Sequence, residues 1–264
     1  MLRTFVAWLF VMVSALTALT QRNEILLDYE LENVATLDQI KGPVKTVVAI
    51  RYLSGEVSWI SISSYSTAGK RTKTNIWERQ TDVHRDETKF VEILRSYIYD
   101  AKTNNLDQIT TISGDQLRTV RMIYDSENRL TEQLYLSNDG KLFRKRIFKY
   151  KNNNREVLVE TRLIFGSTES RFSTDVLHFD EHEWLKKRVA LDKDGRVIKA
   201  IEYSFERGNL LGVSVCCNYT YRTDYRYEFD EVGNWVARVD KYSQKDFNKD
   251  AGETQRIITY YSKP

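Results

Sequence analysis

Apolar and polar residues alternate with a period of two through most of the chain, the spacing of a strand with two different faces. The clearest stretch runs from Thr223 to Asp240. Tyr225, Tyr227 and Phe229 alternate with Arg226, Glu228 and Asp230, a Glu231-Val232-Gly233-Asn234 break follows, and Trp235, Ala237 and Val239 resume the alternation. That is strand, turn, strand. Weaker copies punctuate the chain at Tyr99-Asp100, Tyr124-Asp125…Asn128, Asn138-Asp139-Gly140, Tyr150…Asn154, Phe179-Asp180, Lys193-Asp194-Gly195 and Glu206…Gly208. Successive turns lie about 12 to 14 residues apart, and a fixed period of this kind marks a repeat architecture.

Asp, Asn and Gly accept the positive φ and the side-chain-to-backbone bonds that tight turns require. Two turn forms are expected to alternate, a longer Tyr/Phe-Asp-x-x-Asn/Gly form and a short Asp-Gly form. The aromatic before a turn can pair across the strands with the large residue after it, as Phe229 with Trp235. The pattern predicts an all-β fold, an antiparallel meander of hairpin repeats forming a strongly curved sheet or open barrel. Upstream, Val44 to Leu53, Trp59 to Tyr65 and Thr74 to Arg79 read as strands. Asp86 to Tyr97 fits both a helical and an extended period, and strand is preferred because Tyr97 to Leu106 ends in a turn of the same kind. Leu26, Leu27, Leu31, Val34, Leu37 and Ile40 are spaced compatibly with a short N-terminal helix, ended by Gly42-Pro43.

Met1 to Thr20 stands outside the pattern. Arg3 precedes an almost unbroken apolar run, Phe5 to Leu19, and small residues precede Gln21, so residues 1–20 are expected to be a secretory signal peptide. The expected organisation is then a lead segment over 21–43 and one β-repeat domain over 44–264, located in the periplasm or at the cell surface, with no membrane span after cleavage. Basic and acidic residues are interleaved, 40 against 37, which argues against a nucleic-acid partner. Cys216 and Cys217 are the only cysteines, and neighbours of that kind do not staple a fold.

The units Tyr124-Asp125…Asn128-Arg129-Leu130 and Phe229-Asp230…Gly233-Asn234-Trp235 resemble the YD repeat of RHS-type bacterial proteins. Lys41-Gly42-Pro43-Val44-Lys45 after a signal peptide is similar to the start of many secreted, uncharacterised proteins of Bacteroides-like bacteria. The resemblance covers roughly Tyr99 to Lys241. It implies an all-β, hairpin-built surface protein; in larger relatives such repeats wall off toxins or bind carbohydrate.

Candidate chemistry is sparse. His178, Asp180 and His182 share a face if the strand stays extended, and that trio is the one weak zinc candidate, although Phe179-Asp180 falls where a repeat turn begins. No nucleophile elbow, phosphate loop or paired-cysteine metal pattern occurs, so no catalytic residue and no cofactor is assigned. The basic, aromatic stretch Lys141 to Lys151 reads as a solvated strand face or an anionic-glycan contact. Trp59, Trp77, Tyr225 and Tyr227 are the candidate ligand-binding residues, since aromatic rows stack on sugar rings. The expected function is an exported, non-enzymatic binding or structural surface module, with a glycan or an envelope protein as partner. A hydrolase of envelope polysaccharide and a sheet-edge scaffold for a partner protein are the alternatives.

Overall fold

The computed structural model describes residues 42–82, 87–182, 184–206, 209–216, 221–244 and 247–261. The segment expected to be a signal peptide, the helix expected before Gly42 and Cys217 lie outside the described residues. Those described form sixteen strands: β1 (Val44–Leu53), β2 (Glu56–Tyr65), β3 (Arg71–Asp82), β4 (Glu87–Tyr99), β5 (Leu106–Ser113), β6 (Gln116–Tyr124), β7 (Leu130–Leu136), β8 (Leu142–Lys151), β9 (Glu156–Phe165), β10 (Thr168–Phe179), β11 (Leu185–Leu191), β12 (Val197–Glu206), β13 (Asn209–Cys216), β14 (Tyr221–Phe229), β15 (Trp235–Gln244) and β16 (Phe247–Tyr260). The stretch with the ambiguous period is strand β4. Each strand pairs antiparallel with its neighbours in sequence, and β1 pairs with β16. The meander therefore closes into a barrel, which settles the choice between curved sheet and barrel. Closure leaves no unpaired outer strand among those described, so the sheet-edge alternative loses its template.

Four of the turns follow one plan. In Asp125-Ser126-Glu127-Asn128-Arg129 the Asp125 N–H bonds the Arg129 carbonyl and the Asn128 N–H bonds the Asp125 carbonyl. Ser137 to Lys141, Asp192 to Arg196 and Asp230 to Asn234 repeat both bonds, with Gly140, Gly195 and Gly233 taking the positive φ that Asn128 takes in the first. This is a type I turn followed by a left-handed residue that makes a bulge. The expected long and short forms are thus a single geometry. The register slips at the bulge, between Glu228 and Phe229 in β14. Phe229 stays opposite Trp235 but is 48 % exposed, and the Trp235 ring packs edge-on against Tyr227 instead.

Successive turns alternate between the two ends of the barrel, so every Tyr/Phe-Asp turn falls on the same rim. Beneath that rim the interior is solid. Leu130, Val157, Leu177, Phe179, Leu185 and Leu210 are buried there, and Val44, Val47 and Tyr65 extend the packing with Ile258 and Tyr260. At three hairpins a tyrosine hydroxyl stitches the hairpin to the one before. Tyr124, Tyr150 and Tyr227 donate to the carbonyls of Leu106, Leu130 and Leu210 at 2.9, 2.8 and 2.6 Å.

Candidate functional site

Toward the opposite rim the interior ceases to be apolar. On the side formed by β15, β16 and β1 to β4, the inward positions alternate with outward Val48, Ile60, Ile62 and Trp77, as the register dictates. They enclose a cavity of about 400 Å³ whose walls carry Arg51, Arg71, Arg79, Arg95, Arg238 and Arg256 but a single carboxylate, Glu78. That volume lies within the ~300–1,000 Å³ range of small-molecule sites.

The guanidiniums are positioned by aromatic faces and by one acid. Asp240, 2 % exposed, accepts from Arg238 Nε at 2.7 Å and Arg238 Nη2 at 3.3 Å, and from Arg51 Nη2 at 3.2 Å. Burial works against the charge of Arg238, yet Asp240, Tyr227 and Tyr225 outweigh it and hold the guanidinium above its ordinary pKa. The Tyr225 hydroxyl titrates high, chiefly because it is buried. Arg71 lies between the rings of Tyr65 and Tyr97, 5.9 and 5.8 Å from their centroids, and Arg256 stands 3.3 Å from that of Trp235. Stacking of this kind fixes a planar cation while leaving its edge to donate. Ser61 and the hydrogen-bonded Ser63–Thr74 pair, 3.0 Å apart, add hydroxyls to the wall.

The four aromatics expected to bind ligand do not form one row. Trp59 lines the cavity, and Trp77, on the neighbouring strand, faces outward. Tyr225 and Tyr227 face inward, Tyr225 beneath Arg238 with 4.9 Å to its ring centroid and Tyr227 bonded to Leu210. The zinc candidate is not assembled. Asp180 Oδ1 accepts the His182 and Trp184 N–H groups, each at 2.9 Å, as a turn cap, and His178 Nδ1 lies 3.9 Å from Glu156. No cluster of three metal-ligating side chains occurs among the described residues. The arginines of the cavity were not singled out by sequence, although one signal was present: Arg71, Arg95, Arg118 and Arg144 recur at close to the hairpin period of about 25 residues.

No protein-family model matches the chain, and no curated protein matches it. Among solved structures it is similar to a porin-like protein of Bacteroides vulgatus, at 13 % identity and a TM-score of 0.48, covering 83 % of this chain and 98 % of that one. A porin-like protein of Bacteroides uniformis gives 12 % identity, a TM-score of 0.38 and the same coverage, 83 % and 98 %. The Tc holotoxin pore of Photorhabdus luminescens gives 12 % identity and 0.29, covering 80 % of this chain and 14 % of that one. At these scores the likeness adds nothing to the barrel described above.

Proposed function

We propose that the protein is an exported, water-soluble, non-enzymatic binding barrel built of YD-like hairpins, and that the cavity on its β15–β4 side holds a small anionic ligand. The supporting observation is the charge of the walls. Six arginines line the cavity with Glu78, and even with Asp240 behind Arg51 and Arg238 and with Glu56 paired to Arg79 the cations exceed the acids. Gathering like charges in a partly desolvated cavity is costly, and an anion removes that cost. A polysaccharide hydrolase finds less support. Glycosidases need two carboxylates flanking the bond, whereas the walls present Glu78 and Asp240 is held by two arginines.

The Bacteroides neighbours are described as porin-like, and outward Val48, Ile60, Ile62 and Ile257 give this barrel some apolar outer surface, but its outer face at β14 is unsuited to lipid. Strand β14 directs Arg222, Asp224, Arg226 and Glu228 outward, one after another along its length. An outward Arg at the bilayer midplane costs about 2–4 kcal/mol. The purified mature chain is expected to stay monodisperse without detergent. Precipitation relieved only by detergent would sink the soluble reading.

The ligand reading is tested by thermal shift against matched anionic and neutral small molecules. Anions should raise the melting temperature, less so at high salt, and Arg95→Gln should reduce the effect. Equal stabilisation by neutral and anionic compounds would count against it.

A further inference from the structure

Most charges on the cavity wall already have a use within the protein. Arg51 and Arg238 hold Asp240, Arg79 pairs with Glu56, Arg71 lies between Tyr65 and Tyr97, and Arg256 stands over Trp235. Two charges remain. Among the described residues neither the Arg95 nor the Glu78 side chain has a hydrogen bond, an ion pair or a stacked ring. Glu78 is exposed and Arg95 half-buried, so both are open to a ligand.

The register keeps these two apart. Arg95 lies opposite Thr74 of β3, and Glu78 is four residues further along that strand, about 14 Å away. The inward row between them, Ala49, Ser61, Ile76 and Ile93, is apolar but for one serine. Trp59 lies directly opposite Glu78 and lines the cavity with it. An acid beside a ring face suits an ammonium group. Along its length the wall therefore presents an acid with a ring, an apolar band and a cation. A plain anion satisfies Arg95 and is repelled at Glu78, whereas a molecule carrying both signs in this order satisfies both. Its span is set as well. The two long side chains take up part of the gap and leave on the order of 7–10 Å, the length of two to three extended peptide units.

Resting on the anion-binding reading above, we infer that the cavity binds a short acidic peptide with free ends, two or three residues long. Its amino terminus lies at Glu78 and Trp59, its terminal carboxylate at Arg95, and a small residue sits beside Ile93. An acidic side chain answers the excess of cations on the wall.

Calorimetry of the purified full chain with alanyl-aspartyl-alanine tests this, alongside its N-acetylated form, its C-terminal amide and glutarate, a dianion without an ammonium group. The free tripeptide is expected to bind more tightly than glutarate, and blocking either end should weaken it about tenfold. Two protein variants assign the ends. In Glu78→Gln acetylation should make no further difference, and in Arg95→Gln amidation should make none. Neither side chain holds the fold through a partner, so both variants should keep the melting temperature of the unmodified chain. Glutarate or the acetylated peptide binding at least as tightly as the free tripeptide would overturn the peptide assignment and leave the anion site standing. An acetylation penalty that persists in Glu78→Gln, or an amidation penalty that persists in Arg95→Gln, would overturn the placement of the ends. No binding by glutarate or the tripeptide, with no anion shifting the melting temperature, would remove the proposed function itself.

Discussion

Asp240 is the residue on which the charge balance of the interior turns. It is 2 % exposed and bonded to Arg238 and Arg51, so replacing it leaves two guanidiniums facing each other without an acid between them. Asp240→Asn is expected to cost about 3–5 kcal/mol in denaturant unfolding, the scale for breaking a buried pair from one side. A second set of carboxylates acts at the turns. Burial alone would raise the Asp125 carboxyl, but the backbone N–H and guanidinium of Arg129 overcome that and hold it low. At Asp230 the Tyr260 hydroxyl and the N–H groups of Asn234, Val232 and Gly233 do the same. Both groups bind protons more weakly folded than unfolded. Their contribution is complete above the ordinary carboxylate pKa of about 4 and disappears as pH falls through the lowered folded values. Melting temperature should drop with acidification in that window, and the drop should shrink in Asp125→Asn and Asp230→Asn. A profile identical to that of the unmodified chain would show that the turns do not carry this linkage.

At the scale of the hairpin, the turn residue in the left-handed region is the exacting position. Gly195 sits at φ 82° with open space around a Cβ, so strain alone decides a substitution there. Gly195→Ala should cost about 1 kcal/mol, and Gly195→Asn less, because Asn128 already occupies the corresponding place at φ 64°. Chemical denaturation of the two variants checks the order. These turns were legible in sequence because Asp, Asn and Gly have few other uses between alternating runs. Their common geometry was not. Aligned on Asp-Gly, the copies look unlike; aligned on the left-handed residue, Asn128, Gly140, Gly195 and Gly233 fall together. The site was hidden for a different reason. A charged residue in a strand ordinarily means solvent, and Arg51, Arg71 and Arg95 are charges that an exposed strand would show as well. Only closure of the sheet turns the face that carries them into a lining. Trp59 could be named as a ligand candidate, but its separation from Trp77 depends on a register that a one-residue slip would reverse.

For the whole molecule the decisive contact is the seam between β1 and β16, where Val44 lies opposite Tyr260 and the Tyr261 N–H bonds the Pro43 carbonyl at 2.7 Å. The two ends of the barrel domain are therefore neighbours. A circular permutant that links residue 261 to 44 and opens at the exposed Gly166 turn should keep the fold and its far-ultraviolet dichroism. Gly252 marks how closely the seam is drawn. A Cβ there would come within 2.8 Å of the Tyr52 carbonyl, so Gly252→Ala should lower the melting temperature where Gly140→Asn barely does.

The same seam sets the order in which the chain can assemble. Every other pairing joins strands adjacent in sequence and can form as soon as its hairpin exists, whereas β1 and β16 meet across almost the full domain. Folding should then run quickly to an unrolled sheet and slow at the final join. During that interval the sheet has two free margins, and a neighbouring molecule can answer either of them. Refolding at high protein concentration should accordingly yield exchanged dimers, in which β16 of one copy completes the ring of another, and the permutant with its seam bridged covalently should not.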